Sequence, residues 1–296
     1  MKKSIIIYGP TAIGKSDISV SLAKVLDAEI ISADSMQIYK DLNIGSAKIT
    51  QEEMQGIPHH LLNIRECNQN YSVFDFLVDC KKCIEDIKSR SKNVIICGGT
   101  GLYIKALLCG YNCGNCKNDN LRIELENLST EELCKRLEAL GYNLKQDDKN
   151  NRRRLIRYIE LYSSDEQKLE KSKQSDEFIL FGLVGDRQVI YDRINNRVDH
   201  MIKNGLIEET KYLMQKATTD CQSMKAIGYK EIVPYIEHKD SLKNCVNLLK
   251  QKTRNYAKRQ ITFMNQFDDI IKIDVRTKQQ AVNDILNYIK KNNFGG

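Results

Sequence analysis

Apolar positions along this chain fall into short continuous runs and helical stripes rather than one repeating pattern. Ile5, Ile6, Ile7 and Tyr8 form a run that stops at Gly9-Pro10, so Ser4–Tyr8 is predicted to be a buried strand. Residues 14–26 follow with Ile18, Leu22 and the Val25/Leu26 pair at helical spacing. EIISA at 29–33 and NVIIC at 93–97 predict two more buried strands. Thr100 is placed to cap a helix running through LYIKALL. This β–loop–α alternation predicts a parallel sheet with helices on its faces.

From residue 111 to about 175 the strand signal disappears. Ser129 with Glu132 spells a capping box for a helix that Gly141 stops, and 151–163 reads as a basic helix. Strand character returns at Phe178–Val184, and 269–275 reads as a late edge strand. The expected organisation is an α/β phosphate-loop core, residues 1–112 and 176–296, interrupted by an all-helical insertion at 113–175. The length of 296 residues accommodates such an insertion.

No apolar run reaches the ~18–20 residues of a membrane span, and the apolar start is too short for a secretory signal. Ten cysteines include Cys80-x-x-Cys83 and Cys113-x-x-Cys116, which imitate halves of a zinc site. Cys80, however, shares a helical stripe with Val73, Phe76, Leu77, Ile84 and Ile87, so packing is the better reading there. Unpaired thiols suit a reducing cytoplasm. The adjacent His59 and His60 have no partner at ligand spacing and are read as structural. Of the formal charge of +7, the last third holds most: residues 206–296 carry 16 Lys/Arg against 10 Asp/Glu. Such an excess permits a polyanionic partner without requiring one.

Chemistry enters with GPTAIGKS at 9–16, a full G-x-x-x-x-G-K-[ST] match between a strand and a helix. Backbone N–H groups of Gly9, Thr11, Ala12, Ile13 and Gly14 are expected to surround a diphosphate or triphosphate. Lys15 adds a point charge, and Ser16 is positioned to ligate Mg²⁺. Asp34 closes the second strand, where parallel sheets gather their ligands; a metal, base or turn-capping role is open to it. Gly98-Gly99-Thr100-Gly101 offers a second backbone approach to an anion. A kinase or NTPase remains possible on these residues alone.

Six blocks then appear in a fixed order: GPTAIGKS, SADSMQIYKDLNIGSAK, PHHL, GGTGLYIKALL, AIGYKE and TRNYAKRQ. Together they resemble the bacterial-type tRNA dimethylallyltransferase family, also called tRNA isopentenyltransferases. The resemblance implies transfer of a dimethylallyl group from dimethylallyl diphosphate to N6 of the adenosine on the 3′ side of the tRNA anticodon. It implies Asp34 as general base, Thr100 as donor to the leaving oxygen, and Lys15, Mg²⁺ on Ser16 and Arg254 as stabilisers of departing diphosphate. Ser35, Met36 and Gln37 would line the adenine, Gln37 reading the base edge through its amide. Arg153, Arg154, Arg157, Lys225, Lys230, Lys258, Arg259 and Gln260 would meet the anticodon stem-loop. Lys250, Arg254 and Lys258, spaced i, i+4 and i+8, form one cationic stripe of a helix. Departures are Phe263 where a Trp is usual and Asn151 where an Asp is frequent. A cytoplasmic monomer acting on tRNA away from membranes is expected; the rivals are a prenyltransferase for free adenine nucleotides, a small-molecule kinase, and a non-enzymatic RNA-binding protein.

Overall fold

The computed structural model describes residues 3–109, 119–144, 146–163 and 176–292. The chain divides into two compact units, Met1–Leu108 with Ser175–Gly296, and Cys109–Gln174. The first begins β1 (Ser4–Tyr8), α1 (Lys15–Leu26), β2 (Ala28–Ser32), α2 (Gln51–Met54), β3 (His59–His60), α3 (Val73–Ser89), β4 (Asn93–Gly98) and α4 (Gly101–Cys109). The second contains α5 (Asp119–Asn127), α6 (Thr130–Ala139), α7 (Gln146–Lys149) and α8 (Arg152–Tyr162). The first unit resumes with β5 (Phe178–Val184), α9 (Arg187–Lys203), α10 (Leu206–Lys216), α11 (Val233–Ile236), α12 (Leu242–Met264), β6 (Ile271–Asp274) and α13 (Lys278–Lys291).

Among the described residues the strands form one six-stranded sheet, ordered β3-β2-β4-β1-β5-β6, and every pairing is parallel. The α/β sheet with flanking helices and an all-helical region agrees with the expectation from sequence. All five residues of β1 and of β2 are buried, as a strand covered on both faces requires. Ile6 and Tyr8 join one core cluster while Ile5 and Ile7 join the other, following the two-residue alternation of a strand. On α1, Ile18 and Leu22 are buried; Leu26 packs on the core and Val25 turns to solvent at 63% exposure. The two-residue edge strand β3 was not anticipated. Its His60 meets the buried Glu29 carboxylate at 2.7 Å, while His59 bonds the Ile57 carbonyl at 2.8 Å.

In the helical unit, Leu125, Leu133, Leu137, Leu155, Ile156 and Ile159 make a separate small core. Ser129 and Glu132 form the expected reciprocal cap, and Gly141 is left-handed at φ 81°. Cys80 is fully buried on α3 and Cys83 is half-buried, as the stripe implied. Cys113 and Cys116 lie outside the described residues. No described helix is long and apolar enough to cross a membrane.

Phe76 of α3 stacks on Tyr103 of α4 with ring centroids 4.2 Å apart, and both are buried. Phe76→Ala is expected to lower unfolding free energy by about 3–5 kcal/mol, read from the denaturant midpoint. Val25→Ala should leave that midpoint within about 0.5 kcal/mol of the parent.

Candidate active site

The loop after β1 turns through left-handed backbone at Ala12 (φ 64°) and Gly14 (φ 100°) before α1 begins at Lys15. Lys15 folds back so that its Nζ donates to the Pro10 carbonyl at 2.9 Å. Burial pushes its ammonium down to about 8, while Cys97 and Asp34 pull the other way and Arg197 adds to the fall. What holds the loop is a residue 249 positions away. Gln260 of α12 accepts from the Thr11 N–H at 2.8 Å and donates to the Gly99 carbonyl at 2.8 Å. The Tyr8 hydroxyl adds a bond to the Gln260 carbonyl at 2.9 Å.

This clamp gives the glycines of the turn after β4 a packing role beside the anion approach expected of them, and Gly98 of the turn lines the cavity that also holds Lys15. A Cβ on Gly99 would lie 2.2 Å from Gln260 Nε2, and one on Gly101 would lie 2.3 Å from the Phe263 ring. The turn is glycine-rich because α12 packs directly on its backbone. Phe263 keeps an aromatic face there, against Phe267. Thr100 accepts from the Ser35 N–H at 3.0 Å instead of capping α4 through its side chain, which ties the turns after β2 and β4 together.

Asp34 takes the turn-capping role open to it and also faces a cavity. Its Oδ1 accepts from Met36 N at 2.8 Å and Gln37 N at 3.4 Å, capping the turn after β2. Its carboxylate also lines a cavity of about 420 Å³ together with Lys15, Ser16 and Gln37. The same cavity gathers Thr11, Ala12 and Gly14 of the loop, Ser35 and Met36, Lys225 and Lys230, and Arg259 and Gln260. Gly9, Ile13, Thr100, Arg254 and Lys258 are not among its lining residues. Ile13 is only 1% exposed and belongs to the core, so its side chain serves packing.

The cationic stripe on α12 meets a matching pair on α9. Lys250 pairs with Asp199 at 2.7 Å and Arg254 donates to Asn195 Oδ1 at 2.6 Å; both sets are spaced by four residues. Arg254 is therefore directed at α9, and Lys258 is exposed. Gln260, expected at the tRNA, spends both ends of its amide within the chain. Arg197 was not foreseen: it lines the cavity and donates to Thr11 Oγ1 at 3.3 Å. Nothing in RINNRVDHM distinguishes it from a solvated helical arginine.

In the helical unit, Arg154 pairs with buried Asp148 at 2.9 Å and Arg157 with buried Glu160 at 3.2 Å. Their side chains remain 48% and 36% exposed. Arg153 stands on the same helix, α8, but its side chain lies outside the described residues. Lys225 and Lys230 pair weakly, at 3.3 Å with Asp220 and 3.8 Å with Glu231.

Ser16 presents an exposed hydroxyl on the cavity wall, and Asp17, Asp34 and Glu53 add carboxylates to the same wall. Among the described residues no group of three or more His, Cys, Asp or Glu could hold a metal ion, so the Ser16 hydroxyl suits a Mg²⁺ that completes its shell with phosphate and water.

Known proteins of similar sequence and fold bear on the site. The family model described as IPP transferase matches residues 37–267, so the phosphate loop lies before the matched span and is a separate observation. The tRNA dimethylallyltransferase of Streptococcus pyogenes serotype M49 (strain NZ131) is 47% identical over 265 residues, covering 88% of this chain and 87% of the relative. The full-length tRNA isopentenylpyrophosphate transferase of Bacillus halodurans superposes with a TM-score of 0.77 at 36% identity, over 98% of this chain and 96% of that one. A eukaryotic dimethylallyltransferase acting on tRNA superposes with a TM-score of 0.82 at 28% identity, over 98% and 80% of the two chains.

A lysine held at about 8 binds an anion well only while protonated. Affinity for inorganic diphosphate should be greatest below pH about 8 and fall as pH rises through that value, reaching roughly tenfold per pH unit beyond it. Calorimetric titration between about pH 7 and about pH 9 checks this, and Lys15→Arg, which keeps its charge throughout, should remove the break.

Proposed function

The chain belongs to the IPP transferase family, and from that premise we infer that it transfers a dimethylallyl group from dimethylallyl diphosphate to tRNA. The acceptor is N6 of the adenosine adjacent to the anticodon on its 3′ side, and diphosphate is released. One observation supports this reading above the rest: a phosphate loop with its half-buried lysine and the Asp34 carboxylate share one cavity. That cavity supplies both halves of the reaction, an anion site for the leaving group and a proton acceptor for the nucleophile.

In the proposed mechanism the N6 nitrogen attacks the allylic carbon, the carbon–oxygen bond to diphosphate breaks, and the amine proton passes to Asp34. Asp34 keeps its Oδ1 in the turn cap, which fixes the carboxylate while the other oxygen works as base. Departing diphosphate accumulates negative charge, so Lys15 and Arg197, both drawn partly out of water, stabilise it more than exposed cations would. Thr100 accepts from the Ser35 N–H and donates to Ser35 Oγ at 3.4 Å, a long bond that its hydroxyl would exchange for one to the leaving oxygen. Mg²⁺ held by Ser16 would neutralise diphosphate charge. Gln37, with Ser35 and Met36, faces the extruded base, as enzymes that modify a base must take it out of the stack.

We assign Lys225, Lys230, Lys258 and Arg259 to the RNA backbone, with Arg153, Arg154 and Arg157 of the helical unit. Arginines half-exposed and pre-oriented by buried carboxylates suit phosphate contacts. Arg254 is retained as a support of α9, the helix that carries Arg197, rather than as a direct diphosphate ligand. We retain a monomer as the expected state, and the free cysteines among the described residues suit a reducing cytoplasm.

Incubation with unmodified tRNA and labelled dimethylallyl diphosphate, beside AMP and ATP controls, should label only tRNA. Label in AMP instead, or phosphoryl transfer from ATP, contradicts the reading. Asp34→Asn should lower kcat by about 10²–10⁴ while tRNA affinity stays within about twofold.

A further inference from the structure

The turn that follows the adenine-lining segment is anchored in an unusual way. Backbone N–H groups of Asn43, Ile44 and Gly45 converge on the carboxylate of Glu209, in the first turn of α10, at 2.9–3.1 Å. Consecutive N–H groups turned to one side form a concavity for an anion, and here the chain fills it with its own carboxylate. Tyr229, completely buried, donates to the same carboxylate at 2.7 Å. A Cβ on Gly45 would fall 2.4 Å from the Tyr229 ring, so the turn rests on that ring without intervening atoms. Lys48 closes the other side, donating to the Tyr39 carbonyl at 2.6 Å and to Asn43 Oδ1 at 3.0 Å.

The turn ends at Ala47, whose carbonyl accepts from Gln37 Nε2 at 3.3 Å. A carbonyl can only accept, so this contact decides which end of the Gln37 amide is nitrogen and which is oxygen. The remaining N–H and the oxygen, one lone pair of which accepts from the Ser32 hydroxyl at 3.5 Å, then present a donor and an acceptor in a fixed sense. An adenine edge offers the complementary pair, an acceptor ring nitrogen beside the N6 amine. If the turn shifts, Gln37 loses the partner that sets its polarity, although the phosphate loop, held separately through Gln260, does not move.

We propose that Glu209 is a positioning residue for base recognition, acting through the 43–47 turn to orient the Gln37 amide. The inference rests on the reading of the cavity as an adenine-prenylating site. Glu209→Gln keeps the side-chain size but turns amide hydrogens toward the converging N–H groups.

The test is a double-mutant cycle of Glu209→Gln and Gln37→Ala, read as kcat and KM on an unmodified anticodon stem-loop with dimethylallyl diphosphate. Each single variant should lower kcat/KM about tenfold, and the double variant should fall no more than about twofold below the weaker single. Inorganic diphosphate affinity should stay within about twofold of the parent in all three variants. That readout separates positioning from general loosening. Losses that multiply, a Gln37→Ala variant without effect, or weakened diphosphate binding in Glu209→Gln each overturn the inference. Tyr229→Phe, which removes a single donor from the carboxylate, replaces Glu209→Gln in the cycle if that variant does not fold, under the same criteria. A parent protein that moves no label to the RNA sinks the family reading and the inference with it; an active parent with multiplying losses sinks the inference alone.

Discussion

The amide of Gln260 connects three segments that the sheet by itself leaves independent: the phosphate loop after β1, the glycine turn after β4, and the long helix α12. A parallel sheet delivers its loops to one edge, because each strand's carboxyl end points the same way. It does not lock those loops to one another. Gln260 does so by satisfying one buried donor and one buried acceptor with a single side chain, while its own backbone carbonyl takes the Tyr8 hydroxyl. An unpaired buried amide or carbonyl costs about 1–3 kcal/mol, so loosening this side chain exposes several groups at once to that cost.

The same closeness sets the chemistry. Helix α12 packs onto Gly99 and Gly101, and burial of Lys15 pushes its ammonium down to about 8. In the proposed reaction a diphosphate brings the opposite charge to that lysine, which favours its protonated form. Asp34 is held by a different device. One of its oxygens is committed to a turn, which fixes the carboxylate in the same cavity as Lys15 and Arg197, whose charges it feels.

Local signals made much of this legible in the sequence. The Ile5–Tyr8 run, the phosphate-loop spacing, the Ser129 capping box and the stripe through Cys80 each depend on neighbours within a few residues, and each reappears in the structure. Long-range pairings were hidden. Gln260 resembles a solvated helix residue until α12 is laid against β1, and Arg197 has no motif around it. The spacing of Lys250, Arg254 and Lys258 implies one helical face, and Lys250 and Arg254 both meet α9; that neighbour, with Asn195 and Asp199 at the same spacing, cannot be inferred from the face alone. The two-residue β3 is too short to produce an alternation. The glycines of GGTG were visible as a motif; their reason, contact with Gln260 and Phe263, required the fold.

Replacing Gln260 with methionine keeps the volume and removes both hydrogen bonds, and the affinity for inorganic diphosphate then reports on the clamp itself. If Gln260 holds the phosphate loop in its binding form, the dissociation constant should rise by about tenfold or more, equivalent to ~1.4 kcal/mol, in a protein that still unfolds cooperatively. Diphosphate binding at the parent's affinity in that variant would contradict the central place given to this side chain.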